Sequence, residues 1–134
     1  INFFGTFLLI REVSKVMMKQ KYGRIVNFTT VASAFRLEGE AIYAASKAAV
    51  ENLTQTTSNE LAIFGITVNA IGPAPVETDL IKAVPKNKIN ALLERQAIKR
   101  FGSFEDVKNV IEFYMDDKSD FITGQIIYLG GVYK

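Results

Sequence analysis

Two residues four apart in one segment could handle a proton. Tyr43 and Lys47 lie in AIYAASKAAVENLTQTTSNELAIF, a stretch that reads as a helix over 41–64. Positions i and i+4 share a helix face, so the ammonium stands beside the phenol. A phenol titrates near pH ~10 when unperturbed, and a fixed positive neighbour favours phenolate. Such a tyrosine can exchange a proton with a carbonyl or an alcohol near neutral pH. Just upstream, GRIVNFTT reads as a strand whose end presents the hydroxyls of Thr29 and Thr30. With Asn2 near the start of the chain, the candidate set is Asn2, Thr30, Tyr43 and Lys47. Tyr114 and Lys118 repeat the Tyr-x3-Lys spacing, but they sit in EFYMDDKSD, an acidic helix end with no such strand before it. Tyr114 therefore reads as packing.

The elements that must position this set follow from periodicity and punctuation. Residues 2–20 form a helix by the recurrence of Phe3, Phe7, Ile10, Val13, Val16 and Met17, stopped by Gly23. A buried strand is expected over 23–30, a loop over 31–40, and the Tyr43/Lys47 helix over 41–64 with Gly65 as its C-terminal cap. A second strand covers 66–71, and Gly72, Pro73, Ala74 and Pro75 break regular structure. Residues 76–98 form an irregular or helical lid. Ser103 and Asp106 make a capping box for a short helix at 104–115. The third strand, 125–129, closes at Gly130 and Gly131. Helices alternating with apolar strands predict an α/β fold: three adjacent parallel strands covered on both faces, joined by right-handed crossovers. The first strand should leave an open edge.

Composition narrows the function classes. A chain of 134 residues, 49% hydrophobic and 22% charged, suits one domain on the apolar side of ordinary. A net charge of +2 argues against nucleic acid and acidic-surface partners. With no Cys and no His, a disulfide framework, a cysteine nucleophile, a histidine base and the usual zinc site are all excluded, so no metal ligand is assigned. The lack of Cys fits a reducing cytoplasm. No apolar run reaches about 18 residues, so no membrane span is expected. The opening INFFGTFLLIREV has no basic leader or small-residue cleavage site and does not read as a signal peptide.

Five stretches in order along the chain, INFFGTF, MMKQKYGRIVNFTTVAS, YAASKAAV, LAIFGITVNAIGPAPVETDL and FITGQIIYLGG, resemble the classical short-chain dehydrogenases/reductases. The flavour is that of bacterial 3-oxoacyl-(acyl-carrier-protein) reductases. The resemblance covers the family's C-terminal half, as a single partial domain over 1–134 carrying the catalytic half of a Rossmann-like doubly wound sheet. It implies an NAD(P)-dependent oxidoreductase acting on a carbonyl/alcohol pair. It gives Tyr43 the role of proton donor and Thr30 that of the hydroxyl holding the substrate oxygen, where the family has Ser. Lys47 would tune Tyr43 and bond the nicotinamide ribose, and Asn2 would hold a relaying water. Pro73, Val76 and Thr78 would meet the nicotinamide carboxamide, with Ala74 standing where the family usually has Gly. Thr29 and Ser33 are further candidates for the role given to Thr30.

The cofactor implied is NADP or NAD, the choice being encoded in the first half of such enzymes. The lid residues Leu80, Ile81, Val84, Ile89, Leu92 and Leu93 read equally as an apolar acyl pocket and as an amphipathic helix packed on the sheet. The partners implied are a small carbonyl substrate, an acyl carrier protein and a second copy of the chain in a homo-oligomer. For the carrier, Lys21 fits one basic docking position and Phe64 occupies the other. A rival reading is also consistent with the sequence. Without the glycine-rich phosphate turn, the chain could be a catalytically inactive remnant that folds or oligomerises.

Overall fold

A computed structural model describes residues 2–132. The first helix, α1, spans Asn2–Gln20 and hands over to strand β1, Gly23–Phe28. A five-residue helix, α2, covers Val31–Phe35 and precedes the long helix α3, Ala41–Leu61. A 3-10 turn over Ala62–Phe64 ends at Gly65, whose φ of 72° is the left-handed cap expected from the sequence. Strand β2 runs Ile66–Gly72. The lid segment contains α4, Asp79–Lys82, and α5, Lys86–Glu94. Helix α6, Phe104–Met115, carries the expected capping box between Ser103 and Asp106, and β3 spans Ile126–Tyr128.

The three strands form one parallel sheet in the order β1-β2-β3, with Gly23 opposite Ile66 and Ala70 opposite Ile126. Strand β2 is central and buried along its whole length, its polar Thr67 and Asn69 included, as expected of a parallel strand covered on both faces. Strand β1 lies at an edge, as anticipated. Successive side chains point to opposite faces, and β1 shows it directly. Ile25 packs with Ile10, Leu61, Ile66 and Val68 beneath α1 and α3, whereas Val26 packs with Ile71, Val110 and Tyr114 beneath α6. Helices therefore cover both faces.

Two polar side chains lock the sheet. Asn69, buried in β2, donates from Nδ2 to the Ile122 carbonyl, and its Oδ1 accepts from the Gln125 amide, each at 3.0 Å, fixing the entry to β3. Tyr114 is 1% exposed and donates to the Ala70 carbonyl at 2.9 Å. It is a core residue, as its context in the sequence suggested. Burial pushes the Tyr114 phenol up to about 12. The Tyr128 phenol, on β3, is likewise raised to about 12, by burial first and then by its bond to Glu51.

A phenol whose folded value lies above its unfolded value of about 10 stabilises the fold fully below pH ~10 and loses that contribution as pH rises towards 12. Alkaline denaturation should thus set in between pH ~10 and ~12. In a spectrophotometric titration, Tyr114→Phe should remove one of the late-ionising phenols. In the same variant, the fall of the urea midpoint across that window should become shallower.

Candidate active site

The site is built where β1 and β2 end. Strand β1 stops at Phe28, two residues earlier than expected, although the Thr29 amide still reaches the Ile71 carbonyl at 2.8 Å. Thr30 has left the ladder. Its backbone is extended, at φ −159° and ψ 152°, and its Oγ1 accepts from the Ala32 amide at 3.3 Å, capping α2. The expected loop over 31–40 is thus corrected in its first half to a helix. The physical reason is the hydroxyl cap, which satisfies an orphan amide of the first turn. Arg36 closes α2 in the left-handed region, with φ of 52°.

Tyr43 stands in the first turn of α3 and is 41% exposed. Among the described residues nothing hydrogen-bonds its hydroxyl. Lys47, one turn later, donates from Nζ to the Phe28 carbonyl at 3.0 Å. This leaves the ammonium two further donors. Partial burial lowers the Lys47 pKa from its usual value by desolvation. The segment 73–78 continues from β2, held by the Val31 amide on the Pro73 carbonyl at 3.4 Å and the Gly102 amide on the Pro75 carbonyl at 2.8 Å. Ala74 is buried there without a positive φ, so Ala needs no backbone freedom that only Gly would supply.

A cavity of about 910 Å³ brings these pieces together. Thr30 and Tyr43 line it alongside Pro73, Val76 and Thr78. Leu80, Ile81, Val84, Ile89 and Leu92 line it too, while Leu93 does not. Ile89 is also buried, so the lid serves as pocket wall and packed surface at once. Arg36, Lys88 and Arg95 add positive charge to the lining, and Glu38 and Glu40 negative charge. Arg95 links lid to α2: it donates to the Phe35 carbonyl at 2.8 Å, and its guanidinium lies 4.3 Å from the centroid of the Phe35 ring.

Asn2 opens α1, and its carbonyl accepts from Thr6 Oγ1 at 2.7 Å. It is not among the residues lining the cavity, and neither is Lys47. Thr29 Oγ1 and Ser33 Oγ both donate to Glu51 Oε1 at 2.6 Å, so neither hydroxyl is presented as Thr30's is. Sequence reasoning missed Glu51, Arg95 and Asn69. Glu51 had one available signal, its position one turn beyond Lys47 on the face that carries Tyr43. Arg95 and Asn69 had none, because their roles depend on residues distant in the chain.

The fold and this cavity fit an α/β domain that works at the carboxyl ends of its strands. The sequence profile of a family described as enoyl-(acyl carrier protein) reductase matches residues 1–133. The 3-oxoacyl-[acyl-carrier-protein] reductase FabG of Staphylococcus epidermidis is 40% identical over 133 residues, covering 98% of this chain and 54% of that protein. The FabG of Rickettsia felis is 36% identical over 131 residues, with the same coverage. A crystal structure assigned as a gluconate dehydrogenase from Agrobacterium tumefaciens superposes with a TM-score of 0.91 at 33% identity, over 98% of this chain and 53% of that one. The chain belongs to the short-chain dehydrogenase/reductase family. It spans about half the length of the curated relatives it matches.

Proposed function

We propose that this chain is the catalytic, C-terminal half of an NAD(P)-dependent oxidoreductase acting on a carbonyl/alcohol pair. The observation that carries this reading is the shared cavity: Thr30, Tyr43 and the 73–78 segment line one space, with Lys47 tied to the strand end beside them. The donor set fits the nicotinamide end of such a cofactor. Lys47 keeps two donors for ribose hydroxyls, and Val76 and Thr78 offer an amide and a hydroxyl for a carboxamide. When bound, the nicotinamide supplies or accepts the hydride. Thr30 holds the substrate oxygen: its Oγ1 takes the Ala32 amide on a lone pair and keeps its own proton to donate. Tyr43 transfers the proton to that oxygen, and Asn2 is assigned the relay to solvent.

The substrate class we infer is a 3-oxoacyl thioester. The apolar lid over the cavity suits an acyl chain, and the FabG relatives are named for that reaction. An acyl carrier protein is the matching partner, with Lys21 exposed at the end of α1 as one basic contact. We also infer a homo-oligomer, because Phe4, Leu9 and Val16 on α1 and Ile42 on α3 are exposed apolar residues. The test is a rate measurement on the full-length gene product. NADPH or NADH consumption should be faster with a 3-oxoacyl thioester than with a keto-sugar acid of the gluconate type, and no consumption with any carbonyl would reject the oxidoreductase reading.

A second reading has its own support. The chain spans about half the length of its curated relatives, and among the described residues β1 pairs on one side only. On that reading the 134-residue chain folds without catalysing. Both readings share one expectation for the 134-residue chain alone: with NADH or NADPH and a ketone it should show no measurable turnover, because anchoring a pyrophosphate requires a glycine-rich turn ahead of a helix. Turnover by a homogeneous preparation of these 134 residues would overturn that expectation.

A further inference from the structure

One carboxylate oxygen collects three hydroxyl groups behind the cavity. Glu51 is 4% exposed and lies on α3 one turn after Lys47. Its Oε1 accepts from Thr29 Oγ1, Ser33 Oγ and Tyr128 OH, each at 2.6 Å. Those lengths are typical of O–H donors on an ionised carboxylate, where each bond is about twice as strong as a neutral one. Other acceptors are within reach but further away. The Lys47 carbonyl is 3.4 Å from Thr29 Oγ1, and the Thr30 carbonyl 2.9 Å from Ser33 Oγ. A hydroxyl has one proton to give, and the shorter contact, to Glu51 Oε1, takes it.

The three donors come from different elements. Thr29 directly precedes Thr30, Ser33 lies within α2, and Tyr128 lies on β3. Thr30 is thus flanked on both sides by residues anchored to one buried oxygen of the helix that carries Tyr43 and Lys47. Its own hydroxyl is left to cap α2 and face the cavity.

We propose that Glu51 is a positioning residue for the proton-transfer set, fixing the β1–α2 junction, and with it Thr30, against α3. The proposal rests on the oxidoreductase reading for its kinetic consequence and on geometry alone for its structural one. A misplacement of about 1 Å at a reacting group can cost up to 10²-fold in rate. In the full-length protein, Glu51→Gln should therefore lower kcat by about 10- to 100-fold, with KM for cofactor and carbonyl changed less than about twofold. Thr29→Val combined with Ser33→Ala should give a similar fall, and adding Glu51→Gln to that pair should lower kcat little further. Tyr128→Phe removes the donor that β3 contributes but leaves the Thr29 and Ser33 bonds to Glu51 in place, so it should lower the melting temperature and leave kcat within about threefold of wild type. Additive losses, or a Tyr128→Phe loss as large as that of Glu51→Gln, would overturn the proposal.

A second measurement needs no turnover. In the 134-residue chain, Glu51→Gln should speed amide hydrogen exchange at Ala32 and Ser33 about tenfold and leave α6 unchanged. Unchanged exchange at α2 would overturn the assignment, whatever the assay gives. If the wild-type full-length protein has no activity, the oxidoreductase reading falls and the exchange result still decides the role of Glu51. Should Glu51→Gln fail to fold, Thr29→Val carries the same exchange test.

Discussion

Tyr43→Phe in the full-length protein is expected to lower kcat for carbonyl reduction by about 10²- to 10⁴-fold, the range a positioned general acid supplies. The substitution removes one oxygen and keeps the ring, so the cavity wall it shares with Thr30 and Val76 is retained. Because no described residue hydrogen-bonds the Tyr43 hydroxyl, its removal leaves no partner unsatisfied and should barely change stability. Cofactor binding, followed by nicotinamide fluorescence, should stay within a few-fold, since Lys47 and the 73–78 segment remain. The fall would then appear in kcat and kcat/KM together, the mark of an interaction made in the transition state. The internal control is the other pair at the same spacing. Tyr114→Phe leaves the Ala70 carbonyl without its phenol donor, so it should cost about 1–2 kcal/mol of stability and leave turnover per folded molecule intact. Retained turnover in Tyr43→Phe, or its selective loss in Tyr114→Phe, would reject the assignment of the proton donor.

The contrast between these tyrosines shows what the sequence could disclose. Strands were legible because β1 and β2 are short, mostly β-branched and apolar stretches, β1 opening at Gly23 and β2 lying between Gly65 and Pro73. Helices α1 and α3 were legible because their apolar residues recur at helical spacing over several turns. The end of β1 was misjudged because Thr29 and Thr30 suit a strand by propensity. Thr30 instead caps a helix, an arrangement to which Arg95, far along the chain, contributes through its bond to Phe35. Helix α2, at five residues, is too short to carry a period at all.

The same limit applies at the site. The proposed proton-handling residues Thr30 and Tyr43 can be picked out by type and spacing, and the structure brings both to one cavity. Glu51 reads in sequence as one more charge on a helix, and charges are mostly solvated. Its burial follows from the meeting of α3 with Thr29, Ser33 and Tyr128, residues of three separate parts of the chain, which no local pattern encodes. Ala74 is the opposite case. Its departure from the usual Gly raised a question about the backbone that the sequence could not answer, and the observed conformation answers it.

The largest expected effect on stability belongs to Gly65→Val. Gly65 terminates the turn after α3 with its amide on the Ala62 carbonyl at 3.0 Å, just before β2 begins beside β1. Its φ of 72° puts a β-branched residue in the left-handed region, a cost of about 1–2 kcal/mol. Its Cβ would also lie 2.6 Å from the Lys21 carbonyl oxygen, a backbone atom that cannot swing aside, and overpacking of this kind adds about 1–3 kcal/mol. The Lys21 backbone is itself constrained, in the left-handed region at φ 56°. Together these amount to about 2–5 kcal/mol out of a typical 5–15, so a fall in melting temperature of about 10–20 °C is expected. Gly39→Val separates the two causes. Gly39 has a φ of 82° but nothing within 4 Å of an added Cβ, so it should lose the conformational part alone, about 1–2 kcal/mol. Melting both variants of the 134-residue chain by circular dichroism checks the difference. Equal losses at the two glycines would mean that the approach of Lys21 contributes nothing and that the left-handed turn accounts for the whole effect.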